Sequence, residues 1–254
     1  MCVILQCDKE NPTPTLDMLK EAQETNPHGG GIAYNLGDGY THVEKGMHVT
    51  AEYVHELIKK HNLKNKDFIV HFRIATHGAV NDKLCHPFIV SKTGKNMTKF
   101  KTKGSVLFHN GVWNEYDDYA VKLAFTRNLK IPDGDISDSS MMAWISSHVG
   151  INFLGMIDEK ITIINPKGIT RFGSGWTEVD NIICSNDLFD NKFTFGGYQD
   201  NFTFKTKKGK KSKDKDDEEP SLNNDSIFYN EMYDEMNNNL GFYNQDELDY
   251  LDNR

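Results

Sequence analysis

No apolar run in this chain approaches the roughly 20 residues that a membrane-spanning helix requires, so no membrane partner is expected. The N-terminus lacks a basic flank leading into an apolar block, so no secretory leader is expected and the cytoplasm is the expected compartment. Basic residues are in deficit. The 29 Lys and Arg against 37 Asp and Glu leave a formal charge of −8, the wrong sign for a phosphate-binding scaffold, and no nucleic-acid partner is expected. Cysteines are few as well: Cys2, Cys7, Cys85 and Cys184 are scattered without a CxxC spacing, which disfavours a zinc knuckle and a disulfide framework. No metal or cofactor is expected. Cys7, Cys85 and Cys184 read as small buried hydrophobes.

Hydrophobic residues make up only 37% of the 254, although that length suffices for one large domain with a substantial core. Some polar segment must therefore dilute a folded part. It begins near Phe204. Residues 205–219 are lysines followed by acids, unable to form a packed element, and read as a flexible linker. Residues 220–254 are acidic and Asn-rich yet carry Phe228, Tyr229, Tyr233, Phe242 and Tyr250, a tail that either docks or stays solvated. Residues 2–204 are then the folded domain. There is no internal repeat.

Along that domain the apolar run from Cys2 to Cys7 is of strand type. Thr13-Pro14 offers a helix cap with proline at the first helical position, followed by Leu16, Leu19 and Ala22 at helical spacing. The stretch Asn26-Pro27-His28-Gly29-Gly30-Gly31 reads as a turn and Ile32-Ala33-Tyr34 as a strand. Thr50 caps a helix with Val54, Leu57 and Ile58 on one face. Phe68 to Arg73 is β-rich and runs into a loop at Gly78. Ser105 to Phe108 is a strand that delivers His109-Asn110-Gly111. Helices are predicted from Tyr116 to about Thr126 and from Ser137 to Gly150, a hairpin over Ile161–Phe172, and a strand over Asn181–Ser185. Antiparallel-looking strand pairs interleaved with a few helices imply α+β layers.

Three places carry chemistry. Cys2 directly follows Met1, and trimming of Met1 would leave a thiol and a free α-amino group on one residue. That amine, with a pKa near roughly 7.7–8.0, is partly unprotonated at neutral pH and would be a base already within reach of the sulfur. Alone, Cys2 reads better as a core cysteine on the first strand. Asn110-Gly111 is a compact pair of N–H donors for an oxyanion, each such donor contributing roughly 2.7–4 kcal/mol in comparable sites; the same dipeptide more often makes a hairpin turn. Arg73 suits a two-pronged contact with a carboxylate, against the commoner fate of a surface ion pair. Asp138 suits a cationic amine, against the plainer role of helix N-cap. Together Arg73 and Asp138 would hold both charged ends of an amino acid whose side-chain amide, that of glutamine or asparagine, lies between Cys2 and Asn110.

In order and spacing, Cys2, Gly29-Gly30-Gly31-Ile32-Ala33, His71-Phe72-Arg73-Ile74-Ala75-Thr76-His77-Gly78, His86-Pro87-Phe88, His109-Asn110-Gly111 and Ser137-Asp138 resemble the class II glutamine amidotransferases of the N-terminal-nucleophile hydrolase superfamily. The likeness spans residues 2 to about 150 and is nearest to the compact stand-alone members. It implies a four-layer αββα sandwich of two antiparallel sheets between helical layers. It also implies that Cys2 attacks the side-chain amide of L-glutamine, giving ammonia and a thioester that is hydrolysed to glutamate. Asn110 and Gly111 would form the oxyanion hole, Arg73 with Thr76 would bind the α-carboxylate, and Asp138 the α-amino group. The Thr76-His77-Gly78 loop would close over the substrate, while His77 and His86 would otherwise be structural. Ile74 and His28 depart from the family's usual aromatic and acidic residues.

No phosphate-cradling glycine motif or ATP-binding signature follows residue 204, so the resemblance implies a separate ammonia-accepting synthase or ligase as partner. Two other readings compete: a cysteine-type amidohydrolase acting on a different amide, and a catalytically idle relative serving as a binding or regulatory module.

Overall fold

The computed structural model describes residues 2–75 and 79–189. The linker expected at 205–219 and the tail expected at 220–254 lie outside the described residues. Eleven strands and four α-helices follow one another among those that are described. Their order is β1 Val3–Cys7, α1 Leu16–Thr25, β2 Gly30–Asn35, β3 Thr41–Gly46, α2 Ala51–Lys60, β4 Phe68–Phe72, β5 Phe88–Ile89, β6 Lys99–Thr102, β7 Val106–Asn110, α3 Tyr116–Arg127, α4 Asp138–Val149, β8 Lys160–Asn165, β9 Gly168–Phe172, β10 Thr177–Val179 and β11 Ile182–Cys184.

One sheet runs β10-β11-β1-β4-β2-β3-β6 and the second β5-β7-β8-β9, with every neighbouring pair antiparallel. Period-two alternation divides the larger sheet's side chains between two cores. Val3, Leu5 and Cys7, with Ile32, Tyr34, Phe68, Val70 and Phe72, pack under Met18, Leu19 and Ala22 of α1 and Val54, Leu57 and Ile58 of α2. Ile4, Ala33, Val43 and Ile69 point the other way, onto Val106, Phe108 and Ile164 of the smaller sheet. On that sheet's far side α4 packs with α3 and lies against β5 and β7, and Met141, Met142, Trp144 and Ile145 of α4 are buried. The architecture is the expected α+β sandwich, two antiparallel sheets between helical layers.

Local chemistry departs from expectation at two helix starts and one turn. The cap of α1 is Thr15, not Thr13: its side chain accepts the Met18 N–H, and Pro14 precedes the helix. A start at Thr15 still sets Met18, Leu19 and Ala22 on one buried face. At α4 the cap is Ser137, which forms a capping box with Ser140, and Asp138 is the first helical residue. The glycine turn ends sooner than expected. Gly29 takes a positive φ of 95°, but Gly30 and Gly31 are strand residues opposite Phe72 and His71. They are glycines because of what lies against them: a Cβ on Gly31 would fall 1.8 Å from the His86 carbonyl oxygen, and one on Gly30 2.4 Å from that of Val49.

Gly31→Ala is therefore expected to destabilise the protein by about 3 kcal/mol or more, lowering Tm by about 6–12 °C. Gly155→Ala, whose Cβ would meet nothing nearer than 3.7 Å, serves as control and should leave Tm within about 3 °C. Equal melting points for the two variants would refute the close-approach account.

Candidate active site

Register brings the first two functional residues together. β1 and β4 pair from Val3↔Phe72 to Cys7↔Phe68, so the next residues outward, Cys2 and Arg73, leave the sheet at the same end. The Ile74 N–H donates to the Cys2 sulfur at 3.4 Å, and the sulfur lies 3.5 Å from the Ile74 carbonyl oxygen. From β11's end, Asn186 Nδ2 donates to the Cys2 carbonyl at 2.7 Å. Burial pushes the Cys2 thiol above its ordinary pKa; the Ile74 N–H and Arg73 oppose this, while Asp138 adds to it. A thiol held in its protonated form needs a base before it can attack.

Arg73 is only 7% exposed, so it is not a surface ion-pair residue. Its Nη1 donates to the Ala79 carbonyl at 3.0 Å, and among the described residues no carboxylate pairs with it. A guanidinium carries five N–H donors and stays charged when buried. The site therefore holds a desolvated cation that no described carboxylate pairs directly. Backbone bonds from Arg73 N–H to Gly29 O and from His28 N–H to Arg73 O, both 2.8 Å, hold the residue. The His28 ring adds a third tie, its Nδ1 accepting the Ala75 N–H at 2.9 Å. Thr76, His77 and Gly78 lie outside the described residues.

Asn110 ends β7, and Gly111 follows in a bend leading to α3. The hairpin reading of this dipeptide is thereby overturned, since β7 pairs with β5 and β8 across intervening helices and loops. Asn110 is buried, and its Nδ2 donates to Ser185 Oγ at 2.7 Å. A Cβ on Gly111 would sit 1.8 Å from a carboxylate oxygen of Glu159, so a side chain there would require Glu159 to swing aside. The other Glu159 oxygen accepts the Val112 N–H at 3.3 Å. Burial raises the Glu159 pKa, the Val112 bond opposing and Asp138 reinforcing the rise.

Asp138 is not the helix cap, so its carboxylate is free for other contacts. One oxygen accepts the Trp113 N–H at 3.2 Å and the other the Ser139 N–H at 2.7 Å. The first also lies 3.6 Å from His109 Nδ1. This ties the start of α4 to the loop after Gly111. Sequence reasoning missed Ser185, Asn186, Glu159 and the side-chain role of His28. Single polar residues at strand ends carry no spacing signal by which they could have been found.

Behind the site lie three buried histidines. The His71 and His86 rings are 4.2 Å apart. Neither nitrogen of His86, nor Nε2 of His109, has a hydrogen-bond partner among the described residues. Burial, reinforced by neighbouring cations, holds His71 down to about 3 and His86 well below the ordinary imidazole value; burial also lowers His109, against the pull of Asp138. Near as these rings are, no three His, Cys, Asp or Glu side chains among the described residues are arranged to hold a metal ion.

Comparison with known proteins fits this arrangement. The family model "Glutamine amidotransferases class-II" matches residues 10–147, more than half of the chain. The chain belongs to the class II glutamine amidotransferases. A Haemophilus influenzae protein named "Putative glutamine amidotransferase" is 31% identical over 117 residues, which are 44% of this chain and 37% of that protein. The chain thus matches little more than a third of that relative's length. Among the described residues of this amidotransferase-family chain, no helix is long and apolar enough to cross a membrane.

The buried imidazoles make stability depend on pH. Their folded pKa values lie below the unfolded value of about 6.5, so the unfolded chain binds protons that the folded one refuses. The associated stability is complete above about pH 6.5 and is lost as pH falls toward the folded value of about 3 for His71. Each group contributes a slope of up to about 1.4 kcal/mol per pH unit in that window. Urea midpoints should stay level from pH 8 to 7 and drop between pH 6 and 5. A level midpoint down to pH 5 would show that the folded protein protonates these rings as readily as the unfolded chain does.

Proposed function

We propose that this chain hydrolyses the side-chain amide of L-glutamine to glutamate and ammonia, as an N-terminal-nucleophile hydrolase with Cys2 as nucleophile. The observation that carries this reading is the buried Arg73 guanidinium, which pairs with no carboxylate among the described residues, beside the half-buried Cys2 thiol. A cation in that position calls for an anionic ligand, and the α-carboxylate of an amino acid is the right size and charge. Asp138, on the neighbouring loop and helix start, supplies the opposite charge for the α-amino group. We assign Thr76, His77 and Gly78, which lie outside the described residues, to substrate binding on the strength of the family resemblance.

The chemistry then runs in two halves. With Met1 removed, the Cys2 amino group takes the thiol proton as sulfur attacks the amide carbon. Negative charge on the amide oxygen is met by the free Asn110 Nδ2–H and the Gly111 N–H, donors already fixed before the charge develops. The same amine returns the proton to the departing nitrogen, which leaves as ammonia, and a glutamyl thioester remains on Cys2. Water, deprotonated by that amine, attacks the thioester, and glutamate leaves with the thiol restored. No metal or cofactor enters these steps. The ammonia passes to a separate acceptor-activating synthase or ligase in the cytoplasm.

Cys2→Ala should abolish glutamate release while leaving Tm within a few degrees of the parent. Intact mass after treatment with a glutamine-like diazoketone should show one adduct on a chain lacking Met1. Glutamate release by the alanine variant, or an adduct on another cysteine, would remove Cys2 from the mechanism. Arg73→Lys should lower kcat/KM for glutamine by roughly 10- to 150-fold, mainly through KM, the effect of losing about 1.5–3 kcal/mol of charge-assisted hydrogen bonding. An unchanged KM would free Arg73 from substrate binding.

A further inference from the structure

The last described strand is followed by two polar residues that reach both partners of the acylation step. Ser185 has no exposed surface, and Asn110 and Asn186 are 5% and 8% exposed. Ser185 Oγ accepts two hydrogen bonds, from the Ile4 N–H at 2.9 Å and from Asn110 Nδ2 at 2.7 Å. Its own N–H donates to the Ile4 carbonyl at 3.0 Å. Its carbonyl accepts from Lys160 Nζ at 2.6 Å, and Lys160 stands opposite Asn110 in the β7–β8 register. Ser185 is thus held from three strands. The next residue, Asn186, donates its Nδ2 to the Cys2 carbonyl.

We propose that Ser185 and Asn186 are positioning residues for acylation, Ser185 by fixing the plane of the Asn110 amide and Asn186 by tethering the backbone of the nucleophile. The proposal rests on the glutaminase reading above. An asparagine amide turns in a broad torsional well, so nothing intrinsic to Asn110 aims its N–H groups. The bond to Ser185 engages one Nδ2 proton and leaves the second for an oxyanion, with the amide plane set before substrate arrives. Because the hydroxyl also takes the Ile4 N–H, the aim of Asn110 is referred to β1, the strand that carries Cys2. Donor and sulfur are located against one common piece of backbone. Asn186 acts on the sulfur's side of the same geometry.

Two reactions of Cys2 separate this role from general support of the fold. Glutamine hydrolysis builds an oxyanion; alkylation by iodoacetamide is a displacement at saturated carbon and builds none. Ser185→Ala should lower kcat for glutamate release 10- to 100-fold, with KM within threefold and the alkylation rate within twofold of the parent. Ser185→Thr, which keeps the hydroxyl, should return kcat to within threefold. Asn186→Ala should slow hydrolysis and alkylation together by at least threefold, since it releases the sulfur itself. If Ser185→Ala does not fold, the threonine and Asn186 variants carry the test. A kcat within twofold of the parent in Ser185→Ala, equal loss of hydrolysis and alkylation in it, or no effect in Asn186→Ala would each overturn the positioning role alone. No glutamate release by the parent protein would instead overturn the glutaminase reading, and this proposal with it.

Discussion

Five backbone pairs between β1 and β4, Val3↔Phe72 to Cys7↔Phe68, determine where the N-terminal sulfur lies. Side chains alternate across a strand, so a slip of one residue would exchange the two faces of β1. Val3, Leu5 and Cys7 would leave the helical core for the space between the sheets, and Ile4 would make the reverse move. Both faces are apolar here and face different partners, which makes the wrong register costly on two sides at once. Cys2 inherits its place from that competition. The thiol meets the Ile74 amide because hydrophobic packing several residues away leaves it nowhere else to go.

The site's electrostatics follow from the same placement. Burial alone would push the Cys2 thiol up and leave it inert; the Ile74 N–H and Arg73 work against burial, and Asp138 works with it. The guanidinium and the carboxylate thus act on the sulfur with opposite signs. A zwitterionic ligand would engage both charges and lessen their net effect on the sulfur. On the proposed reading, recognition and reactivity would be linked in that way by distance and dielectric alone. The imidazoles behind the site contribute no charge, since burial keeps them neutral.

Much of the scaffold was legible where a local pattern and a tertiary need coincide. β1, β4, β7 and the β8–β9 hairpin read from apolar content, and α2 from its cap and spacing, because these elements bury the faces their patterns advertise. The helix start at Thr13 misread a threonine flanking Pro14 when a second threonine, Thr15, flanks it on the other side; propensity does not separate them. Asp138 looked like a cap because serine and aspartate share that preference, and only the bond from the Ser140 N–H to Ser137 resolves them. β3 was not anticipated. It buries Glu44 and Lys45, residues whose charge argues for solvent, and it holds them through Tyr53 and, from farther along the chain, Lys99, Asn96 and the Lys83 carbonyl. The candidate site divides the same way: Arg73, Asn110 and Gly111 stand at the ends of readable strands, whereas their braces are single residues from elsewhere.

His28 braces the segment beside Arg73 with its side chain, the imidazole accepting the Ala75 N–H through Nδ1. The family match stops at residue 147, yet Glu159, Lys160, Ser185 and Asn186 all touch Gly111, Asn110 or Cys2 directly or through one hydrogen bond. The antiparallel pairing of β1 with β11, Leu5 opposite Cys184, is what returns this later segment to the N-terminus. These braces come from strands beyond the matched span, so the family match does not reach them.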